Sequence, residues 1–373
     1  MSAPDPQPVR ISSVPVQLQA LEPLLQQVHA AVGDVPALLA TAEEIGQTAP
    51  MPGEGNTAKL WELLASVTAV DVAAGRVLEP HLDALAILSQ SGIETDTTGA
   101  WGVFAAEGPG MKLEAKRTAN GSFVLSGSKP WCSLAQLLDG AVITAHLPDN
   151  GGRAAFAVNL KAPGVTAETP AWTSRGLQEI PSGTVHFDNV PAIPVGGEGW
   201  YFKRPGFAWG GMGVAACWLG GAVAVARDFA AALTRAAANG REPDQIALAA
   251  LGEIDRILNA TIGHLAQTAE RIDAGEAYAG EPDAVDADGD NPDDASHDNP
   301  SPWSDALRVR GTVAAAVERV QTLVTQNLGP GPLAFDEAYG KRMADLSLYI
   351  RQHHAMRDDA QLGALTLKGD RSW

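Results

Sequence analysis

The sequence predicts an α+β chain in three parts. These are an N-terminal α-helical domain over 1–98, a small middle β-barrel or sandwich over 99–195, and a C-terminal α-helical bundle over 196–373. Three observations predict it. Apolar residues recur at helical spacing up to about residue 95, the period changes to two after Gly99, and helical spacing returns from Tyr201. A chain of 373 residues also exceeds one typical core, so two or three domains are expected.

Taken in order, residues 1–17 are Pro-rich and polar and read as a loose arm. Leu21, Leu24, Leu25, Val28 and Val32 share one helical face, Gly33 and Pro36 break it, and Ala37–Ile45 forms a second short helix. Met51–Asn56 is a loop. Thr57 then caps a helix whose stripe is Leu60, Trp61, Leu64, Val67 and Val70, and Pro80 is placed to start another running to Gln90. In the middle part Lys112–Arg117 alternates, and Asn120-Gly121 is a type I′ hairpin signal before Phe123-Val124-Leu125. Further short strands are expected near 141, 154, 164 and 184, and helices over 207–239, 244–275, 303–327 and 336–363.

Residues 277–302 interrupt that bundle. Nine acidic residues lie between Glu276 and Asp298 with no Lys or Arg, half of the net charge of −18, so an unstructured acidic loop is expected. This balance argues against nucleic acid, which needs clustered cations. Cys132 and Cys217 form no disulfide framework or zinc knuckle, and with no signal-peptide pattern at Met1–Ser13 they suit the reducing cytoplasm. Ala208–Ala226 is uncharged and long enough to test for a membrane span, but its Gly and Ala content favours a buried helix at the centre of a bundle or subunit interface. Gly211-Met-Gly213-Val-Ala-Ala216 fits a G-x-G-x-x-A pattern, but no strand precedes it, so close helix packing explains it better than a nucleotide.

The stretch with the most chemistry is Leu125–Ser133. Trp131 and Ser133 stand at strand spacing, a flat apolar plate and a hydroxyl on one side of the strand. The pair suits a planar heteroaromatic ligand, and a strand end with a buried Trp explains it as simply. The surrounding segments add weight to the ligand. Gly102–Gly108, Ala141–Ala145, Ala155–Asn159 and Gly183–Pro191, in this order around Trp131-x-Ser133, resemble the middle β domain of the acyl-CoA dehydrogenase superfamily. Gln326-Asn-Leu-Gly329-Pro-Gly331 is similar to that family's Gln-x-x-Gly-Gly-x-Gly turn. The resemblance covers about residues 60–365.

The resemblance implies FAD. Trp131 and Ser133 would cover the flavin ring and bond near its N5, and Ala106, where the family has Thr, would meet the pyrimidine edge through its backbone. Gln326 and Gly329 would meet the adenylate part of a neighbouring subunit's FAD, and Arg235 stands near a family phosphate-binding Arg whose Phe-Gly partner is absent here. The family's usual base is a Glu. One of its sites falls at His353, the other at Gly210, and neither holds a carboxylate. His353 is therefore the candidate base, since imidazole titrates near neutrality. His353 and His354 would point about 100° apart on one helix.

The implied function is FAD-dependent α,β-oxidation of an acyl-CoA or other carrier-bound acyl group, with an electron acceptor, in a homodimer or homotetramer, with no metal. Two alternatives stay open: a flavin monooxygenase on the same fold, which needs no carboxylate base, and an inactive flavoprotein or scaffold.

Overall fold

A computed structural model describes residues 6–12, 18–148, 151–275 and 302–370. The expected acidic loop, apart from Pro302, lies outside the described residues. Helices α1 (Glu22–Ala31), α2 (Val35–Gly46), α3 (Thr57–Val70) and α4 (Val72–Ser91) come first. Seven strands follow: β1 (Trp101–Phe104), β2 (Leu113–Arg117), β3 (Phe123–Ser133), β4 (Gly140–His146), β5 (Arg153–Asn159), β6 (Val165–Ala167) and β7 (Ser182–Val195). The remainder is helical: α5 (Trp200–Lys203), α6 (Pro205–Ala238), α7 (Gln245–Asp273), α8 (Pro302–Leu328), α9 (Pro330–Phe335), α10 (Glu337–Tyr349) and α11 (Met356–Leu367).

The strands close on themselves. Pairing runs β4–β2–β3–β7–β5 and returns from β5 to β4, with β1 parallel to β4 and β6 against β7. This is the small barrel expected from the period-two segment, and its closure removes most free edges. The β2–β3 hairpin forms with a different turn from the type I′ expected. Gly121 N–H donates to Thr118 O, and Gly121 alone takes a left-handed backbone, at φ 89°. The Asn120 side chain accepts from Ser122 N–H instead, so Ala119 and Asn120 make an ordinary turn closed by the glycine.

Three sequence expectations are corrected. The arm is not loose at 6–12: Val9 and Ile11 are buried, at 2% and 1% exposure. Glu62 of α3 accepts from Ile11 N–H, Ser12 N–H and the Ser12 hydroxyl, and Ser66 Oγ accepts from Val9 N–H. An extended chain with few internal partners is thus held by polar groups projecting from a helix, which a composition argument cannot foresee. Pro80 does not start a helix but lies inside α4. The break falls at Asp71, whose extended backbone and side-chain bond to Ala74 N–H cap α4. The helix expected over 336–363 is split, because Asp358 accepts from His354 N–H and Ala355 sits at φ 52°, which ends one helix and begins another.

Helix α6 is the centre of the molecule. It is apolar and long enough to cross a membrane, but 78% of its apolar window is buried inside the fold. Its glycines set the packing distance. A Cβ at Gly220 would lie 2.0 Å from Ala65 O of α3, and one at Gly221 would lie 2.7 Å from Leu346 of α10.

A caged lysine ties the barrel to the helices. Lys341 Nζ lies 2.9 Å from Asp71, 2.8 Å from Glu179 and 2.5 Å from Asp345, while the other Asp345 oxygen accepts from Leu177 N–H. Three carboxylates share one cation, and burial pushes the Asp345 carboxyl up against Lys341's pull. Lys341→Met should therefore lower unfolding free energy by about 3 kcal/mol or more. Adding Asp345→Asn should recover part of it; a double variant no more stable than the single one in denaturant unfolding contradicts this account.

Candidate active site

The end of β3 carries the first half of the site. Pairing with β7 slips between Lys129 and Cys132, and Trp131 takes φ 59°. The slip turns the indole outward. Trp131 is 62% exposed, not the buried strand-end Trp of the simpler reading. Cys132 faces the core and Ser133 is half-buried. The Ser133 hydroxyl shares a 2.7 Å hydrogen bond with Ser182 and accepts from Arg76 Nη2 at 3.2 Å. Ala106 is exposed just past β1, and two residues on Gly108 lies so close to β3 that a Cβ there would be 2.9 Å from Pro130. The loop after β1 and the end of β3 thus abut beside an uncovered indole and a hydroxyl. These residues fit a flat heteroaromatic ring.

The second half was missed in the sequence. Arg76, Glu79 and Asp83 occur at i, i+3 and i+7 of α4, on one face of a mostly apolar helix that also buries His81. That spacing, three charges among residues that bury everything else, was the available signal. Arg76 touches Ser133 with one terminal nitrogen and lies 3.9 Å from Glu79 with the other. Arg310 of α8 donates to Gly211 O at 3.0 Å and Gln352 O at 2.6 Å, and its guanidinium sits 4.9 Å from the Trp218 ring. Arg204 lies 3.9 Å from Asp83 and donates to Gln90.

Burial dominates the electrostatics. It pushes the Glu79 carboxyl up to about 7, against the pull of Arg76 and Arg310 and with a further push from Asp83. Asp83 is raised for the same reason, opposed by Arg204. Burial also pushes the Cys217 thiol up to about 12, so it is no nucleophile near neutrality. Glu79 and Asp83 both line a cavity of about 30 Å³ closed by Trp61, Leu64, Trp209 and Gly210. Gly210 is needed there: a Cβ would lie 2.8 Å from Asp83 Oδ1.

His353 is placed differently from its expected role. It is in the break between helices, so the two histidines do not share a helix as the sequence suggested. Its side chain is 8% exposed, with Nε2 3.5 Å from Asp358 Oδ2 and the ring edge-on to Trp218. Burial holds the imidazole below its ordinary value, with Asp358 opposing and Arg310 reinforcing. It is not among the residues lining the cavity. His354 is mostly exposed and pairs with Asp358. Arg235 and Gln326 are exposed near the ends of α6 and α8, and Gly329 takes φ 67° before α9. Among the described residues, no hydrogen bond, ion pair or ring contact joins these three to Trp131, Ser133 or His353.

Comparisons with known proteins agree with this architecture. Residues 107–190 match the family model described as acyl-CoA dehydrogenase, middle domain. No curated protein matches the sequence. Among solved structures, KijD3 in complex with FMN and a dTDP-amino-keto sugar aligns at TM-score 0.73 and 16% identity, covering 95% of this chain and 93% of that one. Butyryl-CoA dehydrogenase from Megasphaera elsdenii aligns at 0.68 and 16%, covering 92% and 98%. The dibenzothiophene monooxygenase TdsC from Paenibacillus sp. A11-2 aligns at 0.70 and 15%, covering 92% and 95%. The chain therefore has the acyl-CoA dehydrogenase-like fold, as its motifs suggested.

Glu79 gives a pH signature. Its carboxyl binds a proton more tightly folded than unfolded, so the unfolded state holds fewer protons between pH 4.5 and about 7. Stability from this group is present below pH 4.5 and is lost as pH rises through about 7. Glu79→Gln should change little at pH 5 and gain up to about 3 kcal/mol relative to wild type at pH 8.5. Parallel stability–pH curves for the two proteins would contradict the buried, protonated carboxyl.

Proposed function

We propose that the protein is an FAD-dependent oxidoreductase of the oxygen-using kind, a monooxygenase acting on a small molecule held between the end of β3 and the charged face of α4. One observation carries the choice over α,β-dehydrogenation of an acyl thioester. Neither position that the resemblance marks for a base offers a carboxylate. Gly210 has no side chain to offer, and the His353 imidazole is withdrawn beside Asp358 and away from the cavity. That three structurally similar proteins include a monooxygenase and an FMN complex supports the same direction.

A bound flavin would supply the redox chemistry between an electron donor and oxygen. Trp131 would cover a face or edge of its ring, and Ser133 and the backbone at Ala106 would meet its polar edge, while Arg76 fixes the Ser133 hydroxyl. By the resemblance, Gln326 and Gly329 would serve the adenylate part of a second copy's FAD and Arg235 its phosphates across a subunit interface, which implies a homodimer or dimer of dimers. Two unpaired, buried cysteines suit a cytoplasmic protein.

Purified protein should take up FAD and turn yellow, and Trp131→Ala should weaken retention by about 1 kcal/mol in a titration. Anaerobic butyryl-CoA or octanoyl-CoA should leave the bound FAD oxidised, whereas chemically reduced protein should consume oxygen. Bleaching by either thioester would overturn the monooxygenase reading in favour of dehydrogenation. Failure to take up flavin at all would overturn both.

A further inference from the structure

Two acidic side chains stand one turn apart on α4 at a cavity that the binding role of Trp131 and Ser133 does not use. Their order has a direction. Asp83 has 21% of its side chain exposed and Glu79 has 11%; one turn further, Arg76 touches both Glu79 and Ser133. With a rise of about 1.5 Å per residue, the helix sets these groups about 4–6 Å apart along its axis. The cavity beside the two carboxylates, about 30 Å³, has room for one or two water molecules. Its other walls are apolar: Leu60, Trp61, Leu64, Leu82 and Ala86, with Pro50 and Pro52. Gly210 gives Asp83 the space to enter from α4.

We propose that Asp83 and Glu79 form a proton relay along α4, with Asp83 at the solvent end and Glu79 as the group that exchanges a proton with the ligand beside Ser133. This deepens the oxidoreductase reading and rests on it only for what receives the proton. The transfer is a simple exchange. When Glu79 takes a proton, an O–H bond forms and the donor keeps its electron pair; when Glu79 gives it up, that O–H bond breaks and the pair stays on the carboxylate. Asp83, through water in the cavity, restores the starting state, so no net charge accumulates.

The surroundings suit this work. The groups facing Glu79 are Arg76 and Asp83 on its own helix, Arg310 from α8, and Tyr349 from α10; Cys217 of α6 lies close to Tyr349. The tyrosine and thiol are pushed above their ordinary ranges by burial, whereas burial brings the Glu79 carboxyl to about 7 and raises Asp83 as well. An acid–base group is most effective when it titrates near the working pH. The buried Tyr349 hydroxyl faces the Glu79 carboxyl, and a hydrogen bond from it favours the ionised form of Glu79.

The test uses the full chain in two measurements. The first needs no flavin. Infrared difference spectra between pH 5.5 and 8.5 should show a buried carboxylic-acid band that disappears on raising pH, is absent in Glu79→Gln, and titrates at lower pH in Asp83→Asn, because the neighbouring negative charge that favours protonation is gone. A band unchanged in Glu79→Gln, or no band in wild type, overturns the proposal. The second follows oxygen-driven reoxidation of the chemically reduced FAD complex against pH. Wild type should show an inflection near 7, Glu79→Gln should lose it with a slowing of about tenfold or more, and Glu79→Asp should restore it in part. A Glu79→Gln profile identical to wild type means that Glu79 moves no catalytic proton, and the relay is wrong while the flavin assignment stands. Protein that takes up no FAD defeats the function of the preceding subsection, and the infrared result then decides alone whether Glu79 and Asp83 form a coupled proton store.

Discussion

The structure depends on the approach of α3 to α6 at Gly220. With a Cβ at that position 2.0 Å from Ala65 O, no other residue lets the two backbones come so close. Gly75 does the same within the α3–α4 corner, where a Cβ would lie 2.0 Å from Thr68 Oγ1. These glycines draw α3, α4 and α6 into a slab whose interior holds Trp61, Trp218 and Phe229 without exposure. Close packing of this kind leaves little room for water around whatever α4 carries inward.

The charged face of α4 must then be paid for locally. Two carboxylates and three guanidiniums share a small region, and none of them has ideal ion-pair geometry: Arg76–Glu79 and Arg204–Asp83 are both 3.9 Å. Such contacts do not recover the full cost of removing charge from water. Leaving Glu79 protonated is the cheaper state, which is why burial outweighs two nearby arginines. The arginines draw on neutral partners as well: Arg310 has two backbone carbonyls, and Arg204 has Gln90.

The fold itself does not choose the chemistry. A dehydrogenase, a monooxygenase and a sugar-bound FMN protein share it with this chain at about one residue in six. Function on a shared frame rests on the particular side chains brought to the site. The side chains that the structure brings together here are an exposed indole and a hydroxyl from the barrel, and two carboxylates from a helix on the other side of the same guanidinium.

Periodicity was enough for the order of helical, strand and helical parts, because a half-buried strand and a helix bury different spacings of residues. The Trp131-x-Ser133 strand end and the small residues of α6 were likewise legible, since a glycine run has few uses besides close packing. Local pattern misjudged what long-range partners decide. Glu62 holds the N-terminal arm from about fifty residues away, packing carries α4 through Pro80, and Asp358 starts a new helix where the pattern ran on. The charged cluster on α4 was hidden for the same reason. Arg76, Glu79 and Asp83 look like an ordinary solvated face until α6, α8 and α10 close over them. Position in a sequence says which residue types are near along the chain. Only the tertiary structure decides which charges lose their water, and loss of water is what shifts Glu79 toward neutrality and holds His353 uncharged beside Asp358.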